Sequence, residues 1–176
     1  MKKFFKIAGI ILLSLIVLVL IAGLMLPKKV ALEKSITINA TGEQVWQHVN
    51  NLEACHKWSP FVEEDPNTVV SYSGQSGTVG SSYAWKSEKV GEGTQTITKL
   101  EPGQRVDSHL HFIKPFEGEA DTYIKLTPAG NATNVTWGFE SEYKYPMNVM
   151  GNLMKGSLGD MFQNGLNNLK EQSESN

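Results

Sequence analysis

The chain has 176 residues, with 16 basic and 18 acidic side chains and a formal net charge of −2. Five basic residues precede Val30, so the part from Val30 onward has 11 basic and 18 acidic residues and a net charge of −7. Such an acidic domain, with Arg105 as its one arginine, is a poor match for a phosphate backbone, which requires clustered Lys and Arg. We therefore expect no nucleic-acid partner.

An uncharged apolar run of 20 residues, 7–26, lies near the amino terminus. At about 1.5 Å per residue such a helix spans roughly 30 Å, the thickness of the hydrocarbon core of a bilayer. A cleaved signal peptide is the alternative, but its apolar core is usually about 7–15 residues long, and residues 24–29 form a poor cleavage site. We predict an uncleaved single-pass membrane anchor, residues 1–29. Three lysines before the run and two after it favour an internal amino terminus and an extracytoplasmic domain.

Residues 30–170 are predicted to form one domain that begins with a strand over 30–38, irregular between Leu32 and Ile36. Thr41 is then a plausible N-cap, and Gln44 three residues later completes a capping box at the start of a short helix. A second short helical or irregular piece follows, which we expect Pro60 to stop.

Six further segments alternate apolar and polar residues as strands do, and turn-type sequences rich in Gly and Pro separate them. Because the links are short, the strands are expected to pair as an antiparallel meander. The six segments are 68–73, 81–89, 94–101, 105–114, 118–127 and 132–143.

The last long segment, roughly Pro146 to Lys170, has apolar residues at steps of three and four, which predicts an amphipathic helix. Its apolar stripe consists of Met150, Leu153, Met154, Leu158, Met161, Phe162, Gly165, Leu166 and Leu169. A lone long helix after a run of strands needs a sheet to lie on, so we predict an α+β fold. The sheet would be a seven-stranded antiparallel one that curves around this helix, and residues 171–176 would be a disordered tail.

Short phrases in a fixed order resemble the SRPBCC, or START-like, superfamily, and within it the polyketide cyclase/dehydrase and lipid-transport branch. The resemblance covers about Val30 to Lys170. The phrases are Ile36-Thr37-Ile38-Asn39-Ala40, Glu43-Gln44-Val45-Trp46, Lys57-Trp58-Ser59-Pro60, Tyr72-Ser73-Gly74, 79–85, Thr136-Trp137 and 165–170. The resemblance implies a helix-grip fold, in which the sheet wraps the long helix around an apolar cavity. It further implies binding of lipids, sterols, polyketides or hormones, with cyclases and hydrolases as a minority.

Strand alternation indicates which side chains face the long helix and could line such a cavity. The expected ligand-binding residues are Tyr83, Trp85, Leu110, Phe112, Trp137, Phe139, Leu158 and Phe162. The same aromatic residues could instead form an ordinary packed core, and the sequence leaves these two readings open.

Two pairs of residues invite a chemical role. His109 and His111 share a strand face, as zinc ligands do, but they also share it with Arg105 and Asp107, which is typical of a solvated face. Cys55 and His56 are adjacent, so in a helix their side chains point about 100° apart and form no dyad. We expect no metal and no cofactor.

We favour a membrane-anchored binding domain for a hydrophobic small molecule or lipid. The first alternative is a cyclase- or hydrolase-type enzyme, for which Tyr83, Ser108 and Thr122 are the available polar groups. The second is an interaction module whose own side chains fill the cavity. No catalytic residue is predicted, and the oligomeric state is left open.

Overall fold

The structure of the protein, a computed structural model that describes residues 2–175, is an antiparallel sheet of seven strands with helices packed on one face. The elements are α1 (Lys2–Met25), β1 (Lys29–Ile38), α2 (Gly42–Val49), α3 (Leu52–His56), α4 (Pro60–Glu64), β2 (Val69–Ser73), β3 (Ser82–Ser87), β4 (Gly91–Glu101), β5 (Arg105–Lys114), β6 (Gly118–Ala129), β7 (Ala132–Glu142) and α5 (Asn148–Glu174). The predicted α+β helix-grip architecture is confirmed.

The strand order is β1-β7-β6-β5-β4-β3-β2. All links from β2 to β7 are therefore hairpins, and β1 pairs with β7 at the edge of the sheet opposite β2. We call the end at which β1 begins the near end. Strand pairing places the β3–β4 loop, the β5–β6 loop and the β7–α5 loop at this near end. The β2–β3, β4–β5 and β6–β7 connections lie at the opposite, far end.

Strand β1 is continuous, contrary to the predicted irregularity, because its pairing with β7 keeps one register over the whole of β1. Lys34 takes an inward position between Leu32 and Ile36. This charge is tolerated because its aliphatic stem lies over Gly159 of α5, where an added Cβ would be 3.1 Å from Lys34 Cε. A lysine at the edge of a sheet can keep its ammonium in water, which a simple alternation rule does not anticipate.

The short helices begin at the caps that the sequence indicates, with one difference. The capping box of α2 is confirmed, since Gln44 N–H donates to Thr41 Oγ1 and the Thr41 N–H donates to Gln44 Oε1. Pro60 does not stop a helix but begins α4, because its fixed φ suits the first turn and its missing N–H is needed by no carbonyl there.

Helix α5 runs four residues past the predicted end and includes 171–174, which were predicted to be disordered. Ser173 is buried, and the Glu174 carboxylate accepts a hydrogen bond of 2.6 Å from the Asn39 N–H beyond the end of β1. These contacts extend the helix across the far end of the sheet. Asn176 lies outside the described residues.

Two glycines on strands allow aromatic rings to approach the backbone closely. Gly93 was predicted to lie in a turn, but it belongs to β4, and an added Cβ there would be 2.4 Å from the Trp85 ring. At Gly138 an added Cβ would be 2.2 Å from the Tyr123 ring, on the other face. At each glycine an aromatic ring packs directly on the strand backbone, a role of Gly within strands that differs from its role in turns.

Helix α1 is long and apolar enough to cross a membrane, and most of its surface is exposed. It is the one helix with these properties among residues 2–175.

Candidate functional site

Six of the eight residues that the sequence predicts for ligand binding lie on the inner face of the sheet, which α2 to α5 cover, and the other two, Leu158 and Phe162, lie on α5. Four of the eight are buried: Trp85, Trp137, Phe139 and Phe162. The other four are only half-buried: Tyr83, Leu110, Phe112 and Leu158. The face is thus divided into a packed part around β7 and a more open part on β3 to β5.

The packed part is centred on Trp137 of β7. Its ring stacks on Phe162 of α5 with centroids 4.0 Å apart, and Trp58 meets it edge-on at 5.2 Å. The Trp137 indole N–H donates to Thr122 Oγ1 at 3.0 Å. Gly165 of α5 allows this approach, since a Cβ there would be 2.8 Å from the Trp137 ring. Here the inner face is a solid core.

The open part exists because α5 packs on β1 and β7 rather than over the middle of the sheet. Tyr83, Trp85 and Phe112 form a row of rings across β3 and β5, with centroid separations of 5.6 Å and 5.9 Å. Leu110 and Phe112 remain partly accessible although their strand parity directs them inward. Leu110 and Phe112 therefore pack against the core on one side and keep part of their apolar surface open on the other.

Trp85 carries an unused polar group. Its Nε1 is buried and finds no hydrogen-bond acceptor among residues 2–175, whereas the Nε1 of Trp137 has one. A buried donor without a partner costs free energy of about 1–3 kcal/mol, and native proteins keep few of them. This donor lies in the open part of the inner face.

The residues at the edge of this row are held neutral by burial. Burial raises the pKa of Tyr83 well above its usual range and lowers the pKa of His56, whose ring meets Tyr83 and Tyr72 edge-on. Burial also raises the pKa of the Cys55 thiol to about 12, and its Sγ donates to Val49 O. Cys55 and His56 therefore point to different partners, as predicted, and burial favours the protonated form of the thiol.

Thr122, one of the polar groups nominated for an enzyme, is already engaged in hydrogen bonds. Thr122 Oγ1 donates to Gly138 O and accepts from Trp137. Asp65 is the one carboxylate among the described residues that is almost fully covered. Its two oxygens accept from Ser87 Oγ and the Asn67 N–H, and these bonds hold its pKa below the usual range. It ties the start of β2 to the end of β3.

The two histidines of β5 lie on the outer face, as their parity predicts. His109 is hydrogen-bonded to Asp121 Oδ1 at 2.8 Å and to Glu119 Oε2 at 2.6 Å, and these carboxylates raise its pKa. Within residues 2–175 no group of three or more His, Cys, Asp or Glu side chains is arranged to hold a metal ion. The zinc hypothesis has no support in this geometry.

A feature that the sequence did not indicate is an open cleft of about 660 Å³ between β1 and α5. Gly156 and Gly159 make room for it on the helix, and Leu32 lies in its wall. Its other walls are charged, with Glu33 and Lys34 facing Lys155 and Asp160. The spacing of the two glycines was the available signal, but it shows only a missing side chain and not a groove.

These features define a class: a helix-grip domain with a partly open apolar inner face. A model of the polyketide cyclase / dehydrase and lipid transport family matches residues 29–174, so the chain belongs to that family. No curated protein is detectably similar.

Several solved structures share the fold at low sequence identity. A protein from Thermobifida fusca is 20% identical with a TM-score of 0.64, covering 81% of this chain and 92% of its own. A protein from Nitrosospira multiformis is 17% identical with a TM-score of 0.62, covering 81% and 95%. Ara h 8.0201 is 13% identical with a TM-score of 0.58, covering 84% and 99%.

Proposed function

We propose that the chain is a single-pass membrane protein whose domain binds a hydrophobic small molecule or lipid between the sheet and α5. The domain would lie on the extracytoplasmic side, with residues 7–26 in the bilayer. Support comes from the family, from the apolar length of α1, and above all from the half-buried inner face at Leu110 and Phe112.

The eight predicted residues remain the proposed site, with two roles. Tyr83, Trp85, Leu110, Phe112 and Leu158 would contact the ligand. Trp137, Phe139 and Phe162 would form the fixed wall behind it. Burial of apolar ligand surface would supply the affinity, at roughly 25 cal/mol per Å² before the costs of association.

The unpartnered indole N–H of Trp85 indicates the chemistry of the ligand. A hydrocarbon would leave this donor without an acceptor, whereas a carbonyl, ester or hydroxyl oxygen would satisfy it. Acyl lipids and oxygenated polycyclic molecules carry such oxygens on an apolar body. We therefore favour an apolar ligand with at least one hydrogen-bond acceptor over a pure hydrocarbon.

The test is photo-cross-linking of the full chain in phosphatidylcholine vesicles that contain a phospholipid with a diazirine on its acyl chain. Adducts are mapped by mass spectrometry after proteolysis. We expect adducts on α1, from its contact with bulk lipid, and a second set at Leu110 and Phe112 of β5 and Leu158 of α5. The far-end β4–β5 turn should be unlabelled.

A matched pair of variants separates binding from chance contact. Leu158→Trp places a bulky ring in the open part and should remove the adducts at Leu110 and Phe112 while α1 stays labelled. Leu153→Trp, the same change at an exposed position of the same helix, should leave them unchanged. The absence of adducts at Leu110, Phe112 and Leu158 would disprove lipid binding in the domain and favour a module with a filled interior, whereas an unlabelled α1 would disprove the anchor.

A further inference from the structure

Exposed apolar side chains are concentrated at the near end of the domain. Outside α1, nine large apolar side chains of the described residues are exposed, and two of them, Tyr72 and Val79, lie towards the far end. The other seven are at the near end: Val69, Ile113, Phe116, Tyr145, Met147, Leu153 and Met154. Leu153 and Met154 belong to the stripe that the sequence assigned to the core. An apolar patch on one end indicates an interaction surface.

The end of α1 is attached to the same end of the domain by side chains of α5. The last carbonyls of a helix have no partner within the helix, and in a bilayer such groups must be satisfied by other means. Asn148 is fully buried, and its Nδ2 donates to Gly23 O at 2.8 Å and to Leu26 O at 2.9 Å. Asn152 Nδ2 donates to Pro27 O at 2.9 Å.

A tyrosine strengthens this junction. Tyr145 Oη donates to Leu20 O at 3.2 Å, and Gly23 leaves room for its ring, since an added Cβ there would be 3.0 Å from it. Only residues 26–28 separate α1 from β1, a connection of about 10 Å at most when extended. A membrane that contains α1 therefore lies close to the near end.

We propose that the near end of the domain rests on the bilayer surface, with Ile113, Phe116, Leu153 and Met154 inserted into its interfacial layer. The proposal rests on α1 being a membrane span, as proposed above. The hydrogen bonds from α5 to α1 hold the domain in this orientation, so the occupant of the patch is the lipid that surrounds the anchor and not a separate partner.

The charges at the near end indicate that apolar contact, and not attraction to anionic lipid, carries this interaction. Exposed charges of both signs occur there, five lysines and four glutamates: Lys28, Lys29, Lys89, Lys114, Lys144, Glu88, Glu117, Glu119 and Glu142. Lysines of mixed surfaces extend their ammonium groups towards headgroups while their stems cover apolar surface. Binding to a neutral phosphatidylcholine bilayer is therefore sufficient, with little dependence on salt.

The orientation has a consequence for the ligand. Phe112 pairs with Gly118 close to the near end, and Met154 lies on the first turns of α5, so the open part of the inner face adjoins the proposed membrane contact. A lipid would pass between bilayer and domain without crossing water. The domain would extract ligand from, or deliver it to, its own membrane.

The experiment places an environment-sensitive NBD label on a single cysteine of the full chain, in a Cys55→Ala background, reconstituted in phosphatidylcholine vesicles. Labels at Phe116→Cys and Leu153→Cys test the near end. Gln104→Cys, exposed at the far end, is the matched control. We expect blue-shifted emission at 116 and 153, quenching by brominated acyl chains and loss of iodide quenching, with the reverse pattern at 104.

Flotation of the vesicles tests the membrane anchor separately from the membrane contact of the near end. A chain that floats but has labels at 116 and 153 as open to iodide as that at 104 would overturn the membrane contact and leave the anchor intact. Labels shielded from both quenchers would mean that protein covers the patch, which also overturns it. A chain that does not float would overturn the anchor and this contact together.

Discussion

The two parts of the inner face are built from the same kinds of side chain but differ in what covers them. Trp137 has a stacked phenylalanine on one side, a tryptophan edge nearby and an acceptor for its N–H. Trp85, on the strand next to the edge strand β2, has neighbouring rings but no acceptor among residues 2–175. The position of α5 over β1 and β7 creates this difference, and it shows that aromatic residues of one face can be fully packed in one part and partly open in another.

The largest effect is expected from Trp137→Ala. The change removes the stack with Phe162 and the hydrogen bond to Thr122, and it leaves a cavity in a tightly packed part of the core. The free energy of unfolding should fall by about 3–5 kcal/mol, measured by chemical denaturation of the full chain in detergent micelles. A loss below about 1 kcal/mol would show that this part is not a packed core.

Two single variants, Trp137→Phe and Trp85→Phe, compare the packed part and the open part of the inner face directly. Trp137→Phe loses a satisfied hydrogen bond, whereas Trp85→Phe removes a donor that has no partner, so Trp137→Phe should cost more by about 1–2 kcal/mol. Trp85→Phe should also weaken retention of an oxygen-bearing lipid but not of a hydrocarbon probe. Equal losses for both probes would contradict the role of the Trp85 N–H.

Phe112→Ala should reduce lipid contact more than stability, whereas Trp137→Ala should chiefly reduce stability. Because Phe112 is only half-buried, the cost in stability should be about 1–2 kcal/mol. Lipid adducts at Leu110 and Leu158 should nevertheless fall steeply in the cross-linking experiment. If stability collapses and adducts persist, Phe112 belongs to the core and the boundary between the two parts is misplaced.

The smallest effect is expected on the outer face, which neither part touches. Asp121 and then Glu119 raise the pKa of His109, so the stability that His109 contributes is fully present below its unfolded pKa of about 6.5 and is lost as the pH rises through the raised folded value. His109→Gln should therefore reduce stability at about pH 5.5, by no more than about 0.5 kcal/mol at this exposed site, and should have no effect at high pH. Thermal unfolding across this range measures it, and a difference that is independent of pH would contradict the assignment.

Prediction from the sequence succeeded where the pattern is local. The capping box of Thr41 and Gln44 and the outward parity of His109 needed only neighbouring residues. It was wrong where a distant residue alters the meaning of a local signal. Gly93 was predicted to lie in a turn, but it is a strand residue that makes room for the Trp85 ring. Pro60 was predicted to end a helix, but it begins one.

By itself, the sequence determined the order of strands and long helices, the face of the sheet on which the side chains of β3, β5, β6 and β7 lie, and the apolar length of α1. These properties follow from periodicities of two and 3.6 residues and from the number of apolar residues in a row. Only the tertiary structure decided which strands α5 covers, and hence which aromatic rings are packed and which are open. It also decided that Asn148 and Asn152 bind the carbonyls at the end of α1. Such contacts join residues more than 100 positions apart in the sequence. A local sequence pattern therefore does not predict which side-chain amide donates to which backbone carbonyl.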